Sequence, residues 1–497
     1  MRRSSPLLLS WLVLFAPSLV HAQTLDELQH PLVTKGRIVA AGEYEYYAVD
    51  HTVGDYAGTF TMSFSRPENV LFPQLRIGLA KNLELGLDGT NQFPTLFADP
   101  GFAAWSRGGH ALYETTIRSA AANVVFRPAG NLELRTFYRW GRTQDTLDYS
   151  VDPVTDSHES HTAITHVISA GGTWLSTVDR DNQPVLPDLD GLQHPLLKAR
   201  RVRIDGEVMR RWYDLTYLAS QPESIDDRLR SRDTRIRVGV ANGITDHLQV
   251  GADIYWHPAF RAAGRSHLEW TYYGKTYSST TDSSTRYEGV FGWRLAGRWR
   301  VNDHAEMFLD GTREQQGVAH DYASRVGTVE TYRTSTVKFG GTWLSRKPAR
   351  SVPLDADLVG LYHPFVEPTQ IKLDALVDHL GYRGDVFVPA VWRWRVQATT
   401  GIWRWLQATA YGGMMLVKRT DSSETLDRYR SMGAQLTLRL LGRVEAFGSV
   451  HLHPAGFFDA YPLLVLGRDD PYYQYRDVLN TDMGGDRTLH VGLRIVM

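Results

Sequence analysis

The 497-residue chain contains no cysteine. Disulfide bracing, thiolate-bound metals and lipid attachment at a cysteine are therefore excluded. Charge of one sign is not in excess either, with 54 Lys and Arg against 55 Asp and Glu. Nothing in that balance points to a nucleic-acid partner. Beyond the first two dozen residues there is no apolar run long enough for a membrane helix. The sequence also has no phosphate loop, no Gly-x-Ser-x-Gly elbow and no His-Glu-x-x-His motif. No catalytic residue, metal or cofactor is expected from it.

What is present starts at the N-terminus. Arg2 and Arg3 precede an apolar run from Leu7 to Val20, and Val20-His21-Ala22 carries compact residues at a cleavage position. Residues 1–22 read as a secretory signal, with Gln23 opening the mature chain.

The mature chain repeats itself. Leu28-Gln29-His30-Pro31-Leu32 recurs as Leu192-Gln193-His194-Pro195-Leu196 and as Leu361-Tyr362-His363-Pro364-Phe365. Gly171-Gly172-Thr173-Trp174-Leu175-Ser176 matches Gly340-Gly341-Thr342-Trp343-Leu344-Ser345. Three related units are read, over about 28–191, 192–360 and 361–497, each too long for a propeller blade or solenoid turn.

Within the units, apolar and polar residues alternate strictly. Leu75, Ile77 and Leu79 alternate with Gln74, Arg76 and Gly78. Leu83, Leu85 and Leu87 then alternate with Glu84, Gly86 and Asp88. The second unit repeats this from Ile236 to Val240 and from Leu248 to Ile254, with Arg237 and Asp253 on the polar face and a turn read at Asn242-Gly243. The third does so with Trp392, Trp394 and Val396 against Arg393 and Arg395. A later hairpin in each unit carries Glu133, Glu306 or Glu445, the last preceded by Arg439. Such period-two patterns predict strands with one apolar and one charged face, joined by tight turns. About six strands per unit give a single all-β, antiparallel transmembrane barrel of about 18 strands (16–18), each spanning with nine to eleven residues. Thr143–Ser160, Arg261–Arg286 and Pro454–Arg487 read as long outward loops. The three His-Pro segments fall on the short-turn, periplasmic side.

The last residues add a resemblance. Leu489, Val491, Leu493, Ile495 and Met497 alternate with His490, Gly492 and Arg494. With Gly492, Ile495 and Met497 this resembles the C-terminal signal of bacterial outer-membrane β-barrel proteins, although the usual final residue is aromatic. The segment Gly243 to Gly251 resembles a periplasmic turn of the same class. The resemblance implies the cell outer membrane as location, and outer-membrane lipid and the barrel assembly machinery as partners. Trp140, Trp174, Trp212, Tyr213, Tyr255, Trp256 and Trp343 are candidates for interfacial girdles.

Three functions are weighed. A porin-like channel for small hydrophilic solutes would use Arg76, Arg237, Arg395, Arg439, Glu84, Asp88, Asp253, Glu133, Glu306 and Glu445 as lumen-lining charges. The plainer reading pairs these charges across neighbouring strands. An export or assembly component would dock a periplasmic partner through His30, Pro31, His194, Pro195, His363 and Pro364. The chain leaves no room for an N-terminal plug of the TonB-dependent type. An outer-membrane enzyme would need a set such as Asp156, His158, Ser160 and His161, or Asp469 and Asp470. A loop calcium site at Asp152 and Asp156 lacks EF-hand spacing. Phe457, Phe458, Tyr461, Tyr472 and Tyr473 form a candidate constriction loop. Porins of this size are often trimers, so a homo-oligomer is one expectation.

Overall fold

A computed structural model describes residues 32–54, 61–93, 102–105, 110–150, 156–177, 196–220, 223–272, 275–322, 329–346, 366–383, 390–418, 426–440, 444–452 and 487–497. Strands β1 (Ile38–Gly54), β2 (Thr61–Ala80), β3 (Leu83–Phe93), β4 (Phe102–Trp105), β5 (His110–Ala129), β6 (Leu132–Ser150) and β7 (Asp156–Leu175) come first. Next are β8 (Val202–Ser220), β9 (Glu223–Thr245), β10 (Leu248–Tyr272), β11 (Lys275–Asn302), β12 (Ala305–Tyr322) and β13 (Val329–Leu344). The last are β14 (Ile371–Arg383), β15 (Ala390–Trp403), β16 (Leu406–Lys418), β17 (Leu426–Leu440), β18 (Val444–Leu452) and β19 (Arg487–Val496).

Every named pairing is antiparallel, and β1 pairs with both β2 and β19, which closes the sheet on itself. Strands β3 and β4 both lie between β2 and β5, one after the other. Nineteen strands therefore occupy eighteen wall positions. Among the described residues closure leaves no strand with a free edge along its whole length, which limits the unpaired backbone groups presented to lipid.

The wall inverts the usual distribution of residues. Leu295 and Leu309 are each 55% exposed, while Glu133 is 1% exposed and Asp374 is fully buried. Along β9, Val238 and Val240 are exposed and Arg237 and Asp233 are buried. Because successive side chains leave a strand on opposite faces, the apolar set forms the outer surface and the charged set the inner one. In water, an apolar exterior of this extent would aggregate; against hydrocarbon it is the stable arrangement.

Two-residue turns at Lys81-Asn82, Gly130-Asn131, Asp246-His247, Asp303-His304 and Arg404-Trp405 lie at one end of the barrel. Outward tryptophans mark both ends of the apolar surface. Trp174, Trp299, Trp343 and Trp403 lie near the short turns, and Trp256, Trp293, Trp392 and Trp394 lie farther along their strands. Tyr213 and Tyr255, read as girdle residues, instead face inward. Their strands alternate, and both share a face with buried polar neighbours.

Three readings of local structure are corrected. Asn242-Gly243 is not the turn: β9 continues to Thr245. The segments Thr143–Ser160 and Arg261–Arg286 are largely strand, because β6 reaches Ser150, β10 reaches Tyr272 and β11 starts at Lys275. Strands of 25 and 28 residues exceed the nine to eleven needed to span. The outer part of β11 is mostly polar on both faces and that of β10 carries only scattered apolar residues, so no regular hydropathy alternation marks them, yet the backbone ladder continues from Arg261↔Arg286 to Tyr272↔Lys275.

Candidate functional site

Interior charges are held along the wall. Arg76 on β2 donates to Glu84 on β3 at 2.8 Å. Glu133 accepts from Arg127 at 2.5 Å and from Arg135 at 2.6 Å. Arg237 meets Asp253 at 2.8 Å, and Glu306 lies 3.0 Å from Arg300 and 3.6 Å from Arg298. Arg439 meets Glu445 at 2.7 Å; Arg494 then links Glu445, at 3.5 Å, to Glu43, at 2.7 Å. Among the described residues, each of these pairs joins one strand or two adjacent strands. Cross-strand pairing, the plainer of the two readings, is what brings the predicted charges together. Asp88 sits opposite Gln74, and Arg395 lies between Leu376 and Gly413 on the same face.

Glycine lets aromatic rings lie flat on this inner wall. A Cβ on Gly292 would fall under 3.0 Å from the ring of Tyr255, and Gly433 and Gly492 stand in the same relation to Tyr411 and Phe447. Each ring covers the backbone that the glycine leaves bare.

The segments entering β1, β8 and β14 bend inward at the short-turn end. The backbone N–H of Val33 donates to Glu84 Oε2 at 2.7 Å. That of Leu197 donates to Gln249 Oε1 at 3.0 Å, and that of Val366 to Gln407 Oε1 at 2.9 Å. Three residues on, Gly36, Arg200 and Thr369 all have positive φ, of 79°, 64° and 64°. Their N–H groups donate to the carbonyls of Gly78, Gly243 and Gly401 at 2.7, 2.7 and 2.8 Å. A turn closes each segment: Arg37 donates to Thr34, Arg201 to Lys198 and Gln370 to Glu367. Val33, Leu197 and Val366 are buried.

Glycine is required at 78, 243 and 401 by this approach. A Cβ at each would lie under 3.0 Å from a carbonyl oxygen of the inward segment. Positive φ is easy for Gly36 and costly for Arg200 and Thr369. The two backbone hydrogen bonds of each turn hold them there, and at Thr369 the Arg346 guanidinium adds hydrogen bonds to the Thr369 hydroxyl and the Pro368 carbonyl. Sequence reasoning found the His-Pro motifs but missed these contacts. A signal was available: Gly78, Gly243 and Gly401 each precede an acid or amide, Glu84, Gln249 or Gln407, by six positions.

Other expectations fall elsewhere. His30, Pro31, His194, Pro195, His363 and Pro364 lie outside the described residues, as do Phe457, Phe458, Tyr461, Tyr472, Tyr473, Asp152, Asp469 and Asp470. Asp156, His158, Ser160 and His161 are not in a loop but on β7, in register with β6. Among the described residues no group of acids and histidines is arranged to hold a metal ion.

No protein-family model matches the chain, and no curated protein matches it. Solved structures do resemble it. The ferric yersiniabactin uptake receptor FyuA of Yersinia pestis aligns at a TM-score of 0.52 and 7% identity, covering 94% of this chain and 81% of that one. The ferric preacinetobactin receptor BauA of Acinetobacter baumannii aligns at 0.46 and 8%, covering 93% and 80%. At such identity the first likeness speaks for the fold alone. Together with the closed wall and its apolar exterior, it makes the chain a β-barrel of the bacterial outer membrane.

Proposed function

We propose that the protein is a porin-like channel for small hydrophilic solutes. One observation carries the reading: the interior charges satisfy one another laterally along the wall, as with Arg76–Glu84 and Arg237–Asp253. No ion pair among the described residues reaches across the lumen. Barrels of 16 to 18 strands are wide enough for water unless something fills them. On this reading Arg76, Arg237, Arg395, Arg439, Glu84, Asp88, Asp253, Glu133, Glu306 and Glu445 line the path, and the loop with Phe457, Phe458, Tyr461, Tyr472 and Tyr473 narrows it.

The same reading takes the barrel as three six-strand units. The matched contacts of Val33, Leu197 and Val366 support it. Each unit then contributes one inward segment to the periplasmic mouth. A second reading, an export or assembly component, draws on that same feature, because three equivalent segments at one mouth offer a partner a repeated surface.

Single-channel conductance of the refolded protein in a planar bilayer tests the choice. A stable open conductance, with a reversal potential that responds to substitution of Arg237 or Glu306, supports the channel. A folded barrel without conductance overturns it and favours the second reading.

A further inference from the structure

Above the outer tryptophans, the facing rule reverses on β8, β9 and β10. Leu229 and Ala262 are buried together and pack against Tyr213 and Leu215. The outward positions become arginine. On β9, Arg232 is exposed between buried Ser231 and Asp233. A bulge between Trp256 and Ala259 shifts the parity of β10, so Arg261 comes opposite Arg232 and is also exposed. An outer face that turns from apolar to cationic marks the level where hydrocarbon ends and headgroups begin.

The same level continues round the wall. Trp140, His166, Trp212, Arg232 and Arg261 occupy one continuous row across β6 to β10. Beside it, exposed Arg118 on β5 lies directly opposite exposed Arg142 on β6, and Arg210 on β8 lies with its guanidinium 4.9 Å from the Trp212 ring centre. Two of these five arginines face each other at 118 and 142, and two at 232 and 261. Like charges in directly opposed positions repel.

Farther from the membrane the chain offsets its cations. Arg228 meets Asp226 at 3.1 Å, Arg265 meets Asp282 at 2.8 Å, and Arg230 lies 3.8 Å from Asp214. At the boundary it does not. Among the described residues, no carboxylate lies within ion-pair distance of Arg118, Arg142, Arg210, Arg232 or Arg261. Their neighbours are a Gln144 amide and the Trp212 ring.

We propose that this outward patch on β5 to β10 binds the phosphate groups of the outer-leaflet glycolipid headgroup. The short turns mark the periplasmic end, so the patch faces the exterior leaflet. Guanidinium groups take phosphate through paired hydrogen bonds, and arginines beside tryptophan are suited to the lipid interface. A headgroup phosphate seated at either opposed arginine pair relieves the repulsion within that pair. The inference is independent of conductance, because every residue in it faces away from the lumen.

The test uses the full refolded barrel in neutral detergent, titrated with bisphosphorylated lipid A, with the same glycolipid stripped of phosphate, and with phosphatidylglycerol. Lipid A should bind in a salt-sensitive manner and the stripped lipid should not. Arg232→Gln with Arg261→Gln should weaken lipid A binding about thirtyfold, whereas Arg228→Gln with Arg265→Gln should change it little. Arg232→Lys with Arg261→Lys keeps the charge but not the paired hydrogen bonds, so it should bind lipid A more tightly than the glutamine pair and more weakly than the parent, which separates a lost site from a misfolded barrel. Equal binding of the stripped lipid, or unchanged binding by the glutamine pair, overturns the proposal. Equal binding of phosphatidylglycerol overturns the assignment to glycolipid.

Discussion

The backbone N–H of Val33 donates to a carboxylate oxygen of Glu84, 51 positions later, at 2.7 Å. The same oxygen accepts from Arg76 at 2.8 Å. Glu84 thus holds the strand entry and balances an interior arginine, whereas Gln249 and Gln407 make only the equivalent backbone contact uncharged.

Glu84→Gln should keep the Val33 contact and weaken the Arg76 pair, because an amide oxygen replaces the carboxylate. Glu84→Ala should lose both. Hydrogen exchange at the Val33 amide should stay slow in the first variant and quicken in the second. An unsatisfied buried donor costs about 1–3 kcal/mol, so the change is roughly five- to over a hundredfold in local opening. Equal protection in both variants would show that packing alone holds the segment.

Gly243→Ala tests the close approach at the entry to β8. Its Cβ would fall under 3.0 Å from the carbonyl oxygens of Leu197 and Lys198. The inward segment must shift, while β9 and β10 lose nothing of their ladder. Cysteine labelling at position 197, in a chain with no native cysteine, should accelerate in the alanine background. The barrel should still fold, shown by heat-modifiable gel mobility.

These two cases show what the sequence can carry. Strict alternation exposed the hairpins around Lys81-Asn82 and Arg404-Trp405, because a half-apolar strand has a side-chain signature. A backbone N–H has none, so nothing at Val33 or Leu197 announced its partner. Gly243 was read as a turn residue because glycine favours both turns and close backbone approach, and composition alone cannot choose. The outer parts of β10 and β11 were read as loop for another reason. Residues such as Ser278, Ser279 and Thr280 are exposed on both faces, so no apolar alternation marks them although the backbone ladder continues.

Arg237 and Asp253 form a pair whose side chains are largely removed from solvent. Removing either partner alone leaves an uncompensated charge and should cost about 3–5 kcal/mol. Arg237→Ala combined with Asp253→Ala should cost less than the sum of the single changes. Urea unfolding in detergent micelles would measure all three, and strict additivity would mean that the pair contributes nothing as a pair.

Outside the membrane, Arg265 hydrogen-bonds Asp282 and holds its carboxyl below the ordinary 3.8. A depressed folded value stabilises the native hairpin above the unfolded value and loses that contribution as pH falls through the folded one. The pair is exposed and salt-screened, so the effect is local. Amide protection near Asp282 should be flat from pH 9 to 5 and decline only at about pH 4 and below. Asp282→Asn should abolish this pH step; a step that persists in the asparagine variant would place its origin in another group.

The Tyr255 ring rests on Gly292 of the adjacent strand, and this contact reports on the lumen. A Cβ at 292 would collide with the ring. The wall behind it is backbone and cannot yield, so the ring must swing toward the barrel axis. Under the channel reading, Gly292→Ala should therefore reduce single-channel conductance, with the fold intact. Tyr255→Phe should leave conductance near that of the parent, because the ring keeps its seat without the hydroxyl. Combining Gly292→Ala with Tyr255→Ala should restore conductance, since no ring remains to be displaced. If Gly292→Ala conducts like the parent, the ring does not border the ion path at this level, and the constriction must be sought elsewhere along the wall.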